Sequence, residues 1–256
     1  MIGAVATLAW NGFREARRNR VTVLVAAFAV ALVMGAALLT EATVSTLERV
    51  LTDLGLGSMS LMLTLLAIFL SSGLLSKEIE RRTIFMVVSR PISRGMFLLA
   101  RLAGNMLTLG VILLLMALLF TGELALYRFP LHQSHLVAMS VLWVELLLLS
   151  SFGFLMSSFS SQIVSAVVTT GIYFAGHLSG EIYKLSQKSA SGLLRGLGKA
   201  VYYLLPNLER LNFRPHAAYA LRVNCDEILR SVLSGLGYSA ALIGLAVLVF
   251  SSRDFK

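Results

Sequence analysis

The chain has 256 residues, 57% of them hydrophobic and 14% charged, with a formal net charge of +9 and a mean hydropathy of +0.81. A soluble globular domain does not carry so apolar a composition, so the chain reads as a polytopic membrane protein. The basic excess speaks of topology and of contact with anionic lipid, and no nucleic-acid partner is expected, because no recognition motif accompanies the charge.

Residues 1–20 form a separate element. On a helix of 3.6 residues per turn Ile2, Val5, Ala6, Ala9, Phe13 and Ala16 share a stripe, with Asn11, Arg14, Glu15 and Arg18 opposite. This predicts an amphipathic helix in the cytosolic membrane interface, with Trp10 near the headgroups. Six apolar runs then approach the length of about 20 residues that a bilayer core requires of a helix. They are placed at 21–40, 59–76, 97–120, 136–159, 163–180 and 231–251. The runs are continuous rather than alternating with period two, so the expected fold class is all-α, without a strand barrel. The first run is too long for a signal peptide and lacks its cleavage pattern, and it is read as a retained span.

With both termini in the cytosol, twelve of the 22 basic residues fall on inside segments and one, Arg49 or Arg128, on each short outside loop. That asymmetry is what the positive-inside rule predicts. The other eight lie between 181 and 230, in a long outer-face loop of the kind that escapes the rule. Within it Leu193, Leu194, Leu197, Val201, Leu204 and Leu205 share a face that excludes Arg195 and Lys199, which predicts an amphipathic helix ended by Pro206.

The segment between the second and third spans, KEIERRTIFMVVSRPISR at 77–94, concentrates mixed charge around an apolar string. Proline lacks an amide hydrogen and disfavours helix in the residue before it, so a first helix should end near Ser89 and a new one start at Pro91. A positive-inside loop accounts for the arginines but not for Ile84 to Val88, which need a surface to pack against. Inside the spans ionisable groups are few. Glu145, in WVELLLLSS, reads either as a cavity-lining group or as a protonated structural hydrogen-bonder, while His177 lies toward the outer end of the fifth span and reads as an interface residue that could also line a cavity. Arg101 is close enough to the cytosolic end to snorkel.

KEIERRT followed by SRPISRGMFLLARL resembles the cytosolic loop of type-2 ABC-exporter permeases, with Glu78, Thr83 and Pro91 to Arg94 matching that family's pattern. Arg82 departs from it, since many relatives have glycine there. FREARRNR at 13–20, the serine-rich short loop 157–162, the long segment before the last span and the ending FSSRDF at 250–255 are also similar to that family. LLPNLERLNFR at 204–214 resembles the subset named for multicopper-enzyme maturation, and the family resemblance implies a second outer-face helix over 216–230. The resemblance implies one six-span domain over 21–256 in the bacterial inner membrane, pairing as a homodimer or with a similar permease. It further implies separate cytosolic ABC ATPase subunits that bind the ATP and Mg. Residues 78–90 would be the coupling helix: Phe85 and Val88 anchor the contact, Glu78, Arg81 and Arg82 set its register, and Thr83, Arg90 and Pro91 complete the loop.

The chain is not expected to hydrolyse ATP itself. Its nearest approach to a phosphate-binding loop, GLLRGLGKA at 192–200, has the wrong glycine spacing and places Ala200 where a hydroxyl must reach magnesium. No nucleophile stands with a base, so no catalytic residue is assigned. Cys225 is the sole cysteine, which leaves no intrachain disulfide and no metal site. His132 and His135 are close enough in sequence to share a site but read as solvated. Two rivals to the ATP-driven permease are a secondary transporter or channel using Glu145, and a scaffold that recruits a cytosolic partner.

Overall fold

The computed structural model describes residues 21–38, 44–80, 94–189 and 191–252, and every regular element among them is helical. In chain order these are α1 (Val21–Leu38), α2 (Val44–Glu80), α3 (Arg94–Leu126), α4 (Gln133–Ser157), α5 (Gln162–Gln187), α6 (Gly192–Leu204), a 3-10 turn (Leu208–Leu211), α7 (Arg214–Ala218) and α8 (Cys225–Ser252). Parts of α2, α3, α4, α5 and α8 are long and apolar enough to cross a bilayer. Helix α1, with 18 residues, is the shorter apolar helix that stands where the first of the six expected spans was placed. The interfacial helix expected over 1–20 and the terminal residues 253–256 lie outside the described residues.

Helix α4 is the central pillar: 67% of its apolar window is buried inside the chain, against 17% for α8. It packs against α2, α3, α5 and α8. The outer helices leave long rows of apolar side chains uncovered, such as Val111, Leu114 and Leu118 on α3 and Ile163, Val167 and Phe174 on α5. An apolar solvent lets such rows stay uncovered by the chain itself, and burial inside the chain falls to the helix that neighbours touch on most sides.

Two elements differ from the sequence reading. The second span was placed at 59–76, but its helix starts at Val44 and runs for 37 residues. Glu48, Arg49, Asp53, Gly55 and Gly57 read as loop residues, yet all five lie within the helix. Glu48 reaches His132 at 3.4 Å, Arg49 covers the Tyr219 ring at 5.5 Å, and Gly55 leaves room for the Phe120 ring, which a Cβ there would overlap. At about 1.5 Å per residue the helix spans roughly 55 Å, well beyond a core of about 30 Å. The other difference is the helix expected over 216–230. The chain instead ends α7 at Ala218, passes through Ala220 with φ 49°, and begins α8 at Cys225, where Asp226 and Glu227 favour the helix N-terminus. Helix α6 matches its expectation closely and stops before Pro206.

Small and hydroxylic residues close the bundle near the α4–α5 turn. Asn105 of α3 donates to Ser150 of α4 at 3.1 Å, and Ser165 of α5 donates to the Gly153 carbonyl at 3.0 Å. Gly153 faces Ser71 of α2 so closely that an added methyl group would overlap its side chain. The Ser71 hydroxyl already donates to the Ile68 carbonyl at 3.1 Å, so it has little freedom to yield. Gly153→Ala should therefore destabilise the bundle by about 1–3 kcal/mol through overpacking. Thermal unfolding in detergent reads this, and a midpoint equal to that of the wild type would show that α2 and α4 can part without cost.

Candidate functional site

Glu145 sits at the thirteenth position of the 25-residue α4, with only 4% of its side chain exposed. A carboxyl group so deep in an apolar helix requires a partner, and it has one. His177 of α5 places Nε2 at 3.0 Å from Glu145 Oε1. Its other ring nitrogen, Nδ1, lies 3.3 Å from Oε2 of Glu209, which is 55% exposed. One imidazole thus bridges a buried carboxyl and a surface one. The Tyr173 ring, one helical turn earlier on α5, meets the imidazole edge-on with centroids 4.7 Å apart.

The third member arrives because the chain after α6 folds back onto the bundle. Pro206 follows the last turn of α6, and the 3-10 turn then sets Leu208 and Leu211 three residues apart, where side chains of a 3-10 helix eclipse. Both leucines are buried. Leu208 seats against Gly176 of α5, and Leu211 lies beside Gly235 of α8, where Val144 of α4 also closes in. A Cβ on Gly176 would stand 2.8 Å from Leu208 Cγ and 2.9 Å from the Pro206 carbonyl oxygen, so only glycine permits this seating. Phe213 and Ala217 continue the buried face. With the leucines pinned, Glu209 is left at the rim of the bundle beside His177. Asn212 Nδ2 donates to both Glu209 oxygens at 3.2 and 3.4 Å, and Arg214 Nε donates to Asn212 Oδ1 at 2.9 Å. The arginine fixes the amide orientation, and the amide fixes the carboxylate.

The ring holds the two carboxyl groups on opposite sides, so they have no common point for a cation, and no group of three metal-ligating side chains occurs among the described residues. What the arrangement can do is hold and exchange protons. A ring that donates at both nitrogens to two ionised carboxylates is an imidazolium; a neutral ring makes both contacts only if one carboxyl carries the proton. In either form three groups share two labile protons.

The structure brings Glu145 and His177 together as one unit, which the separate sequence readings of a cavity group and an interface residue did not anticipate. Glu209 was missed as a site residue. The usable signal was the spacing of Leu208, Leu211, Phe213 and Ala217, a buried stripe within a segment assigned to the surface. The histidine pair read as solvated also changes: His135 is 1% exposed. The His132 amide donates to His135 Nδ1 at 3.0 Å, which leaves the ring hydrogen on Nε2 to meet Thr52 at 3.3 Å. This pair therefore builds the start of α4. Arg101 lies over the Phe97 ring at 5.7 Å.

Of the segment proposed for coupling, Glu78 lies within α2, while Arg81, Arg82, Thr83, Phe85, Val88, Arg90 and Pro91 lie outside the described residues. Helix α2 ends at Glu80 and α3 begins at Arg94, so consecutive helices flank the segment.

The family profile of ABC-2 family transporter proteins matches residues 6–255. The chain belongs to this family. It is thus a permease component of an ABC transporter, a multi-pass membrane protein of transport rather than an enzyme. No curated protein matches the permease in sequence.

The site makes a prediction about stability. Removing one partner of a buried charged pair leaves the other uncompensated, at a cost of about 3 kcal/mol or more, whereas replacing both by apolar groups is often neutral. In the permease His177→Leu should lower the unfolding midpoint markedly, and adding Glu145→Leu should restore much of the loss. A double variant less stable than His177→Leu alone would mean that Glu145 keeps a good partner without the ring.

Proposed function

We propose that this permease is the membrane half of an ATP-driven exporter in a bacterial inner membrane. It works as a dimer, either with itself or with a similar permease, and separate cytosolic ABC ATPase subunits bind the ATP and Mg. The match to the ABC-2 family over residues 6–255 carries this reading. Support from the residues comes from the segment between α2 and α3, where Ile84, Phe85 and Val88 supply apolar anchors and Glu78, Arg81 and Arg82 supply charge to set register. Thr83, Arg90 and Pro91 complete the loop. In this topology the segment faces the cytosol, and the Glu145–His177–Glu209 cluster lies toward the opposite end of the bundle.

The ATPase would move the coupling segment when ATP closes its dimer. Helix α2 would carry that movement toward α4, because the two are packed through Ser71 and Gly153. Glu145 and His177 sit on the pathway side of that unit in this reading, as polar groups inside an apolar bundle. Phe85→Ala removes an apolar anchor, a type of change that typically costs an interface about 2 kcal/mol or more at a hot spot. In nanodiscs with its ATPase, the Phe85→Ala and Glu78→Ala permeases should insert normally, yet bind the ATPase at least about tenfold more weakly or fail to alter its hydrolysis rate. Unchanged binding and hydrolysis in both variants would overturn the coupling assignment.

A further inference from the structure

We propose that Glu145, His177 and Glu209 form a proton-binding site whose occupied state holds the segment from the 3-10 turn through α7 against the bundle. Both nitrogens of His177 lie within reach of a carboxyl oxygen, Nε2 to Glu145 at 3.0 Å and Nδ1 to Glu209 at 3.3 Å. Two labile protons satisfy both contacts. With one, the neutral ring donates to a single carboxylate and turns a lone pair toward the other, which is repulsive.

Burial decides which contact fails. The Glu145 side chain is 4% exposed and the Glu209 side chain 55%. A buried carboxylate without a donor costs far more than one that water can solvate. On loss of a proton the ring hydrogen therefore stays between Nε2 and Glu145, and the Glu209 contact opens. The departing proton goes to water: Glu209 also lines an open cavity of about 560 Å³, together with His216, Asn224, Asp226 and Glu227. No bond other than O–H or N–H is made or broken.

The neighbouring charges fit this assignment. Tyr173 on its own helix meets the ring, and Arg210 of the 3-10 turn, His216 of α7 and Asp226, Glu227 and Arg230 of α8 line the cavity with Glu209. Arg210 reaches away to the Tyr202 hydroxyl of α6 at 3.4 Å, and Arg214 is engaged with Asn212. From α2, Arg49 covers Tyr219; from α8, Arg230 lines the same cavity as Glu209. None of these cations replaces the imidazole between the two carboxyl groups. Once the Glu209 contact opens, the turn is held by Leu208 and Leu211 in their niches beside Gly176 and Gly235. Protonation then sets how firmly the fold closes over this end of α4 and α5.

The test uses the full chain in nanodiscs without an ATPase, so its outcome is independent of coupling. Amide hydrogen exchange of residues 207–218 is measured at several pH values between about 6 and 9, bracketing the histidine range, and each rate is divided by the intrinsic rate at that pH. Wild-type protection should fall about tenfold or more as pH rises, the loss expected for one hydrogen bond between charged groups. Glu209→Gln, a near-isosteric change at an exposed position, should give protection that no longer depends on pH, and His177→Gln should do the same from a lower level. Wild-type protection that stays constant with pH, or a pH dependence that persists in either variant, would overturn the proposal.

Discussion

A carboxyl group at the middle of an apolar helix is the constraint from which the rest of this structure can be argued. Glu145 must have a donor, and no water of the bulk reaches it, so a second helix has to present one at the same depth. His177 does so, and in doing so it ties α5 to α4. The ring has a second nitrogen, which creates the same demand one step nearer the surface. Glu209 meets that demand, and with it a segment that would otherwise be a surface loop is drawn onto the bundle. The glycines follow from this. Gly176 and Gly235 are where the leucines flanking Glu209 come in: a methyl group on Gly176 would push Leu208 out, and one on Gly235 would collide with Val144 of α4.

The bundle was legible in the sequence because bilayer thickness imposes it. Runs of continuous apolar residues left α3, α4, α5 and α8 with little freedom to be anything else, and their observed helices overrun the expected spans mainly at the ends. Helix ends were harder, because apolar content measures what lies in lipid, whereas helix continues wherever backbone and neighbours allow. The start of α2 shows this: Glu48, Arg49 and Asp53 break the apolar run without breaking the helix. The amphipathic α6 was readable because its stripe follows a helical period and Pro206 ends it.

The polar site was half legible. Glu145 and His177 stood out as ionisable residues in apolar surroundings, which is a property of local sequence. That they meet is not, since 32 residues separate them and only helix packing fixes the depth of each. Glu209 lay further out of reach, in a segment where acidic residues are unremarkable. His135 illustrates the converse error: a histidine two residues into α4 reads as exposed, yet the helix start turns it inward onto Thr52 and Phe120.

Two ends of one unit now carry different chemistry. Helix α2 ends in the segment proposed to meet an ATPase, and it is locked to α4 by the close approach of Ser71 and Gly153. Helix α4 in turn holds α5 through the Ser165 hydrogen bond at one end and through Glu145 and His177 further along. Close-packed helices transmit displacement because they do not deform continuously. Transmission needs an element with two arrangements at the receiving end, however, and a rigid seam alone does not provide one. The Glu209 contact does: it is exposed, long at 3.3 Å and dependent on a shared proton. A small displacement of the His177 ring relative to the 3-10 turn would break the contact that proton loss also breaks, and leave the segment held by its leucines. Mechanical displacement and proton binding would thus act on one hydrogen bond.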